Sequence, residues 1–458
     1  MSGATSEWPA WLRRRTAVEV LGEPGIVFPW IAIGLAFLVM VFVGVWNAQH
    51  YPVGLGYDAT EHLAYSDTII HHGHLPTAAE SAEYRSRPGY YVVAGVAAWL
   101  GEQVGASADS YRGAQYLNVL LVLGTAAILL SLARAVAPRR PVVWAASLAF
   151  FAFLPVVAKT EPMFHPETLN MFCSALALRL AVALAQRRRI ELRVVAPLVI
   201  ALGAGFVVRS STVFTLVALA IGLTWVLLSP GIRPHLSRRT VVGVALVLCV
   251  AVPAAWILAG GTPDLALGLL HPGTRTATDT RSNFGHLALG DVFRVPFRPN
   301  FVNAAIPVTY TEIWGDWIGA FSWSSYSVAP WPPALTLMRD QNEIGVLPTL
   351  LALAGLLILA LRALRERREL AVVVALPVVA LAGYLYRSYQ FLSSDGDLLK
   401  ASYVLTTAPV WALCFGVAFA GLGRFRLARV GVAVCLVVFG VLELRFMLYG
   451  IRDHHPIF

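Results

Sequence analysis

The sequence predicts an all-α protein that crosses a membrane many times. The 458-residue chain is 57% hydrophobic and only 13% charged, whereas a typical soluble domain is about 25% charged. Apolar runs recur along its whole length, and a run of roughly 20 residues can cross a hydrocarbon core roughly 30 Å thick. The net charge of +9 comes from arginines in short loops between those runs, a pattern that orients membrane proteins and does not indicate nucleic-acid binding.

About eleven membrane spans account for these runs, within a single transmembrane domain that takes in residues 1–458. With a cytoplasmic N-terminus, all six arginine clusters lie on the cytoplasmic side, as the positive-inside rule requires, and every aspartate lies on the other side. This topology predicts a multi-pass plasma (inner) membrane protein with an acidic extracytoplasmic face. The predicted spans are residues 27–48, 113–135, 141–158, 166–186, 194–208, 212–229, 240–259, 344–363, 370–388, 399–421 and 428–449.

A shorter apolar segment, PGYYVVAGVAAWLG, begins at Pro88. It falls well short of the roughly 20 residues that a span needs. Counting it as a span would also move the arginine cluster from Arg134 to Arg140 to the outer side. We therefore expect a helix that lies in the outer membrane interface.

Two extracytoplasmic loops, residues 49–112 and 260–343, are too long to be simple connections, and long loops are commonly functional. The first loop contains GYDATEHLAY, in which Asp58, Glu61 and His62 form an acidic cluster. Residues three apart on a helix share a face, so we expect Asp58 and Glu61 to lie side by side.

Three interpretations of this cluster remain open. A carboxylate could act as a general base on a substrate hydroxyl. Asp58, Glu61 and His62 could instead hold a divalent cation, the only cofactor that these residues suggest. As a third interpretation, Asp58 could cap a helix that runs through His62 to Ile70.

The chain has only two lysines, Lys159 and Lys400. Both lie at the outer ends of predicted spans, against the positive-inside trend. Snorkelling toward lipid headgroups would explain this placement. Contact with an anionic phosphate at the outer membrane surface would also explain it, and Arg209 and Arg387 lie at the same level.

The segment KTEPMFHPETLN brings further charged residues to the same level as Lys159. Glu161, His165 and Glu167 follow that lysine within eight residues. Pro166 and Glu167 would also begin a helix well, because proline and an acidic residue both favour the first turn.

The second long loop contains TYTEIWGDWIGAFSW, with Glu312, Trp314 and Asp316. Tryptophan rings can stack on a sugar while carboxylates bind its hydroxyls, so these residues are candidates for sugar binding. The same composition is typical of an interfacial aromatic belt, and the sequence does not separate the two.

Several short motifs follow one another in an order that occurs in a known superfamily. The acidic pair Asp58 and Glu61 follows the first span, and Tyr65 comes next. A helix start in RPGYY, residues 87–91, then resembles a Pro-Pro-Leu-Tyr-Tyr-like start, with glycine in place of the second proline.

Later in the chain, Arg209 opens a span, and KASYVL at residues 400–405 resembles an Arg/Lys-x-x-Tyr-Leu motif that includes Tyr403. In this order, the motifs resemble the GT-C superfamily of polyprenyl-phosphate-sugar-dependent glycosyltransferases. That superfamily includes the protein O-mannosyltransferases and the lipid A aminoarabinose transferases.

The resemblance implies a GT-C-like bundle with interfacial helices in its two long loops. It implies inverting transfer of a sugar from a polyprenyl-phosphate donor to a hydroxyl of a glycan, glycolipid or protein, on the extracytoplasmic side. Asp58 would be the catalytic base, and Glu61 would assist it. Lys400 and Arg209, with Lys159 or Arg387, would neutralise the leaving phosphate. The substrate-binding set would be His62, Tyr65, Glu161, His165, Glu167, Glu312, Trp314, Asp316 and Tyr403.

The main alternative is a polytopic transporter or flippase of a lipid-linked or anionic substrate. Transporters place charged residues near the membrane midplane on broken helices. Here the charged clusters lie at the outer surface and the predicted spans are mostly unbroken. Besides membrane lipids, the expected partners are the lipid-linked donor and the acceptor, and the sequence does not specify the sugar.

Overall fold

The chain is helical throughout the part that the structure describes, and no β-strand occurs in that part. The predicted span 240–259 and the first part of the predicted loop 260–343 lie outside it. The structure, a computed structural model, describes residues 27–105, 111–187, 192–228, 283–316, 319–324, 332–390, 392, 399–424 and 426–450.

The helices of the first half of the chain match most of the predicted spans to within a few residues. They are α1 (Val27–His50), α2 (Ala59–Asp67), α3 (Gly89–Gln103), α4 (Arg112–Val136), α5 (Pro141–Ala152), α6 (Pro155–Thr160), α7 (Glu167–Gln186), α8 (Leu192–Val208) and α9 (Thr212–Leu227).

The described helices of the second half include two short ones in the second long loop. They are α10 (Leu289–Val292), α11 (Ala305–Trp314), α12 (Pro332–Arg365), α13 (Ala371–Gln390), α14 (Ala408–Gly421) and α15 (Arg426–Met447), with a 3₁₀ turn at Arg298–Phe301 and another at Ala401–Thr407 that leads into α14.

Six helical segments are long and apolar enough to cross a membrane, and four shorter apolar helices accompany them among the described residues. The predicted third span, 141–158, is two helices, because the chain leaves the helix at Phe153 and restarts at Pro155. A proline donates no backbone N–H and favours the first turn of a new helix. The count of eleven spans is therefore not confirmed as predicted, although the all-helical membrane fold is.

The bundle packs tightly where α5, α12 and α14 meet, because glycines let their backbones approach. A Cβ atom on Gly416 in α14 would lie 2.6 Å from the carbonyl oxygen of Val143 in α5. A Cβ on Gly355 in α12 would overlap the backbone of Cys414. Small residues at such contacts are typical of helix packing in membranes.

Helix α4 runs between two ends of the bundle that differ in charge. It begins at Arg112, whose guanidinium donates to the carbonyl oxygen of Ala48 near the end of α1, 2.7 Å away. It ends at Val136, whose carbonyl oxygen accepts a hydrogen bond from Arg367 in the arginine-rich connection between α12 and α13. The loops rich in arginine thus gather at the end away from the acidic first loop, and their orientation in the cell stays a prediction.

The apolar segment after Pro88 forms the expected helix, α3. One face buries Tyr90, Tyr91 and Ala94, and large apolar side chains such as Val96 and Trp99 are exposed on the other. Such a surface suits contact with lipid. Its depth in the membrane remains a prediction.

Gly416→Ala is expected to destabilise the bundle by about 1–3 kcal/mol, because the added methyl group would force α5 and α14 apart. The matched control is Gly421→Ala in the same helix, where a Cβ atom meets nothing within 4 Å. The measurement is the apparent melting temperature in detergent. Equal melting temperatures for the two variants would contradict the packing described for α5 and α14.

Candidate active site

Asp58 lies immediately before α2 with a left-handed backbone conformation, φ 51°. Aspartate tolerates this conformation better than most residues do. A helix does begin directly after Asp58 and continues through a π-helical turn, Thr68–His72, past Ile70, as one interpretation expected. The side chain of Asp58 makes no capping hydrogen bond, so it is not engaged in capping that helix. Because Asp58 precedes the helix, the expected common helical face with Glu61 is also not formed.

The carboxylate of Asp58 instead pairs with the ammonium group of Lys400, 2.8 Å away. The Asp58 side chain is 49% exposed and that of Lys400 only 13%. Partial burial tends to raise the pKa of Asp58, but the charge and hydrogen bond of Lys400 outweigh burial and hold that pKa below its usual value. Asp58 is therefore an ionised carboxylate that a substrate can reach.

Glu61 points to a different partner. Its carboxylate accepts the backbone N–H of Ala82, and its carbonyl oxygen accepts the hydroxyl of Ser81. These two hydrogen bonds attach the segment of the first long loop around Ser81 and Ala82 to α2. One carboxylate oxygen of Glu61 is therefore engaged by the loop backbone, and the expectation that Glu61 assists Asp58 stays a prediction.

His62 and His165 are buried side by side, with ring centroids 5.1 Å apart. The hydroxyl of Tyr91 lies 2.8 Å from Nδ1 of His62, whereas Nε2 of His62 is buried and unpaired within the described part of the chain. Burial lowers the pKa of His62 to about 3, with Arg209 as the next contribution, and burial lowers the pKa of His165 far below its usual value. Both imidazoles are therefore neutral at physiological pH.

A shared metal ion does not fit this arrangement of Asp58, Glu61 and His62. The aspartate pairs with Lys400, the glutamate accepts a backbone N–H, and the histidine meets a tyrosine hydroxyl. Within the described ranges, no group of three or more histidine, cysteine, aspartate or glutamate side chains is placed to hold a metal ion.

Arg209 is a second cation of the site, at the start of the turn between α8 and α9. Its Nε donates to the buried carboxylate of Glu167, 2.9 Å away, and its guanidinium lies over the ring of Tyr403. Asn170 donates to the other carboxylate oxygen of Glu167. Glu167 therefore begins α7, as expected, and also orients Arg209, so that it is a support for the cation and not a substrate ligand.

Lys159, expected to contact phosphate, is buried in an ion pair with Asp316. Its ammonium also donates to the hydroxyls of Tyr57, 2.8 Å away, and Ser322, 3.2 Å away. Asp316 further accepts the backbone N–H of Phe321. Lys159 and Asp316 are therefore mutual partners beneath the site, and the predicted contacts of each with substrate are corrected.

Glu312 is completely buried and forms an ion pair with Arg298. Its second carboxylate oxygen accepts from the hydroxyl of Tyr57, 3.2 Å away, and from the backbone N–H of Ala401. Glu312 thus connects the second long loop to Tyr57, which precedes Asp58, and to Ala401, which follows Lys400. Because its carboxylate is completely buried, the prediction that it binds a sugar directly is corrected.

The indole of Trp314 packs between Phe150 and Phe439, and its N–H donates to Thr349, 2.9 Å away. It is 4% exposed and therefore not available for stacking on a sugar, which corrects the expectation for this residue. Tyr65 is likewise buried, stacked on Tyr91.

Two other predicted residues lie away from the pair. The carboxyl of Glu161 is buried against Gly44 in α1, and burial raises its pKa far above the usual value. Arg387, near the end of α13, is exposed. Neither is brought to the Asp58–Lys400 pair.

The site that the fold assembles therefore consists of one reachable carboxylate, two cations and two neutral imidazoles. The charges of Lys400 and Arg209 both act on Asp58 and His62, which places these four groups in one small region. Such a set can accept a proton, stabilise an anion and bind neutral hydroxyls.

Sequence reasoning missed Tyr57 and Arg298. Tyr57 directly precedes Asp58, and its ring lies between the ammonium groups of Lys159 and Lys400, 5.1 and 5.2 Å from them. Its adjacency to the acidic cluster was a usable signal. No signal in the sequence separates Arg298 from Arg294, four residues earlier.

No protein-family model and no curated protein matches the chain. Among solved structures, it is similar to the oligosaccharyltransferase of Archaeoglobus fulgidus. The apo form aligns with TM-score 0.50 and 13% identity over 93% of this chain and 56% of that one. The form tethered to an acceptor peptide containing the NVT sequon aligns with TM-score 0.52 and 12% identity over 93% and 56%.

The complex of the same enzyme with Zn and sulfate aligns with TM-score 0.51 and 14% identity over 91% of this chain and 53% of that one. The chain thus spans just over half the length of that enzyme. At such low identity the likeness shows the fold alone: the chain shares its all-helical membrane fold with that enzyme.

Lys159→Met is expected to destabilise the protein by roughly 3–5 kcal/mol, because it leaves the carboxylate of Asp316 buried without its cation. The double variant Lys159→Met with Asp316→Asn should recover part of that loss. Arg339→Met is the control, since its pair with Asp340 is exposed and exposed pairs contribute about 0–1 kcal/mol. Melting temperatures in detergent would test this, and equal losses for Lys159→Met and Arg339→Met would refute the role assigned to the buried pair.

Proposed function

We propose that the protein is an inverting glycosyltransferase that uses a lipid-phosphate-linked sugar donor. One observation carries the proposal: Asp58, ionised and half exposed, lies 2.8 Å from Lys400. A reachable base and a cation for phosphate are thereby combined at one point. Arg209 supplies a second cation to the same region.

The fold supports this proposal. The chain shares its fold with an oligosaccharyltransferase whose structure has been solved with a tethered acceptor peptide. Because the chain spans just over half of that enzyme, the acceptor of this protein is a separate question. A hydroxyl of a glycan, glycolipid or protein fits the proposed chemistry equally well.

In the proposed reaction, the carboxylate of Asp58 accepts the proton of the acceptor hydroxyl as that oxygen attacks the anomeric carbon of the sugar. The new carbon–oxygen bond forms on the face opposite the phosphate. The bond between the anomeric carbon and the phosphate oxygen breaks, and its electron pair leaves with the lipid phosphate. The configuration of the anomeric carbon is therefore inverted.

Lys400 and Arg209 would stabilise the departing phosphate. An ammonium and a guanidinium both bind phosphate oxygens through charge-assisted hydrogen bonds. Arg209 uses its Nε for Glu167, and its terminal nitrogens suit a phosphate.

His62 and His165 would provide neutral hydrogen-bonding groups for sugar or acceptor hydroxyls. Their low pKa values keep them uncharged beside two cations. Nε2 of His62, buried and without a partner in the described part of the chain, is the atom best suited to such a contact. Tyr403, beneath Arg209, would support the same pocket.

The proposed location of this site is the extracytoplasmic side of the plasma membrane, with a cytoplasmic N-terminus. The arginine-rich connections at the opposite end of the bundle support that orientation. The pairs of Asp58 with Lys400 and of Arg209 with Glu167 also lie at or beyond the ends of the long apolar helices and not at their midpoints, which favours an enzyme over the alternative of a transporter.

Asp58→Asn is expected to lower sugar transfer by about 100- to 10,000-fold, the usual contribution of a general base. The assay uses purified protein with a panel of radiolabelled polyprenyl-phosphate sugars and crude membrane acceptors. Asp67→Asn is the matched control, because it makes the same change at an exposed aspartate of α2. Transfer by wild type and Asp67→Asn but not by Asp58→Asn supports the proposal, and transfer unaffected by Asp58→Asn overturns it.

Lys400→Ala is expected to raise the apparent KM for the donor by about 10- to 100-fold, the loss of one hydrogen bond to a charged group. It should also change the pH dependence of kcat/KM. Asp58 must be ionised, so the rate falls as pH falls through its pKa, which Lys400 holds low. Without Lys400, burial raises that pKa, and the acidic limb of the profile should move to higher pH. An unchanged limb and an unchanged KM would contradict the role of Lys400.

A further inference from the structure

We infer that Glu312, paired with Arg298, is a positioning residue that holds Asp58 and Lys400 at their working distance. The inference rests on the proposed function for the identity of the reacting pair. Its structural basis is a single buried carboxylate that contacts the backbone beside one member of the pair and the residue preceding the other.

The Lys400 side of the arrangement is held at both neighbouring residues. Arg298 donates to the carbonyl oxygen of Leu399, 2.9 Å away. Glu312 accepts the backbone N–H of Ala401. Because Leu399 and Ala401 flank Lys400, the ion pair between Arg298 and Glu312 is hydrogen-bonded to the backbone on both sides of that lysine.

The Asp58 side is held through Tyr57. The hydroxyl of Tyr57 lies 3.2 Å from the same oxygen of Glu312 that accepts the N–H of Ala401. Tyr57 is fully enclosed and directly precedes Asp58, whose backbone is itself in the restricted left-handed region. The position of Tyr57 therefore limits where the Asp58 carboxylate can lie.

The charges beneath the site balance one another. Arg298 and Glu312 form one buried pair, and Lys159 and Asp316 form another. The hydroxyl of Tyr57 contacts both pairs, through Lys159 at 2.8 Å and through Glu312. Since each buried charge already has an opposite partner, the cluster does not draw Lys400 away from Asp58.

The chemistry of the contacts requires a carboxylate at position 312. Three donors approach its two oxygens: the guanidinium of Arg298, the hydroxyl of Tyr57 and the N–H of Ala401. A glutamine has one acceptor oxygen and would turn an amide N–H toward one of these donors. An aspartate is shorter by one methylene group and would not reach both segments.

Loss of this carboxylate should loosen the pair, and because it removes the anionic partner of buried Arg298 it should also lower the stability of the fold. A misplacement of about 1 Å in a catalytic site can cost roughly 100-fold in rate. Three groups set the pKa of Asp58 besides burial, namely Lys400, His62 and Arg209, with Lys400 the strongest of them. Displacement of Lys400 should therefore change the pKa of Asp58 and shift the pH profile of kcat/KM.

The first test compares Glu312→Gln with Glu443→Gln in the transfer assay. Glu443 is an equally buried carboxyl in α15 that bonds to Gln341 and contacts neither member of the pair. We expect Glu312→Gln to lower kcat/KM by about 100-fold and to move the acidic limb to higher pH. Glu443→Gln should leave the acidic limb of the pH profile of kcat/KM unchanged. A Glu312→Gln enzyme with the wild-type limb and near-wild-type kcat/KM would overturn the inference.

A milder variant covers the case in which Glu312→Gln does not fold. Tyr57→Phe removes one hydroxyl and keeps the contacts of Glu312 and Arg298 around Lys400. This variant should also move the acidic limb of the pH profile of kcat/KM to higher pH, but by a smaller amount. A Tyr57→Phe enzyme that is indistinguishable from wild type in rate and pH profile would refute the claim that Glu312 positions Asp58 through Tyr57.

The second test does not require catalysis. Asp58→Cys and Lys400→Cys are combined in a background in which the four native cysteines are replaced by alanine, and the pair is treated with a short bifunctional thiol reagent. We expect rapid cross-linking with Glu312 or with Glu443→Gln, and several-fold slower cross-linking with Glu312→Gln. Equal rates in all three would overturn the positioning role. Slower cross-linking in Glu312→Gln, together with no transfer by wild type from any donor, would uphold the positioning role and reject the proposed function.

Discussion

The cost of burying charge governs the organisation of this protein's candidate site. Lys159, Asp316, Arg298 and Glu312 are all at least nine-tenths buried, and an unpaired ion in such surroundings would be destabilising by several kcal/mol. Each therefore has an opposite partner: Lys159 pairs with Asp316 from a distant part of the chain, and Arg298 pairs with Glu312 from the same long loop. The pairing of Lys159 with Asp316 attaches the second long loop to α6, and that of Arg298 with Glu312 attaches it to the segment that precedes α14. The loop is thereby placed under the first long loop, where Tyr57 meets both pairs.

The balance of the buried charges explains why the Asp58–Lys400 pair, unlike the two pairs beneath it, can remain accessible to solvent. Asp58 and Lys400 lie above two neutralised pairs, and Asp58 is half exposed. Neighbouring His62 and His165 are kept neutral by burial and by the nearby cations. The arrangement would offer a substrate the carboxylate of Asp58 beside the cations Lys400 and Arg209, of which Arg209 is also held by the buried carboxylate of Glu167.

The sequence predicted Asp58 as a base and Lys400 and Arg209 as cations of the same site. The structure places Asp58 in contact with Lys400, with Arg209 nearby, and their roles in a reaction stay predictions. The sequence did not reveal the buried partners of the other candidate residues. Glu312, Asp316, Glu167 and Trp314 were assigned to substrate because a carboxylate or indole beside a membrane suits sugar binding. Each is instead buried in a contact with a side chain outside its own motif. Sequence position indicates on which side of a bilayer a residue lies, but not which distant side chain will neutralise it.

Composition and the spacing of apolar runs were enough to establish an all-helical membrane protein, since the hydrocarbon core requires long apolar helices whatever their order. The rare lysines and the acidic motif also predicted at which end of the bundle the candidate site lies. Three features could not be obtained that way: the break in the helix before Pro155, the partners of the buried ions and the contact of Glu61 with the loop backbone. They depend on contacts between residues as far apart as Asp58 and Lys400, because the free energy of a buried charge is set by its neighbours in space and not by its neighbours in sequence.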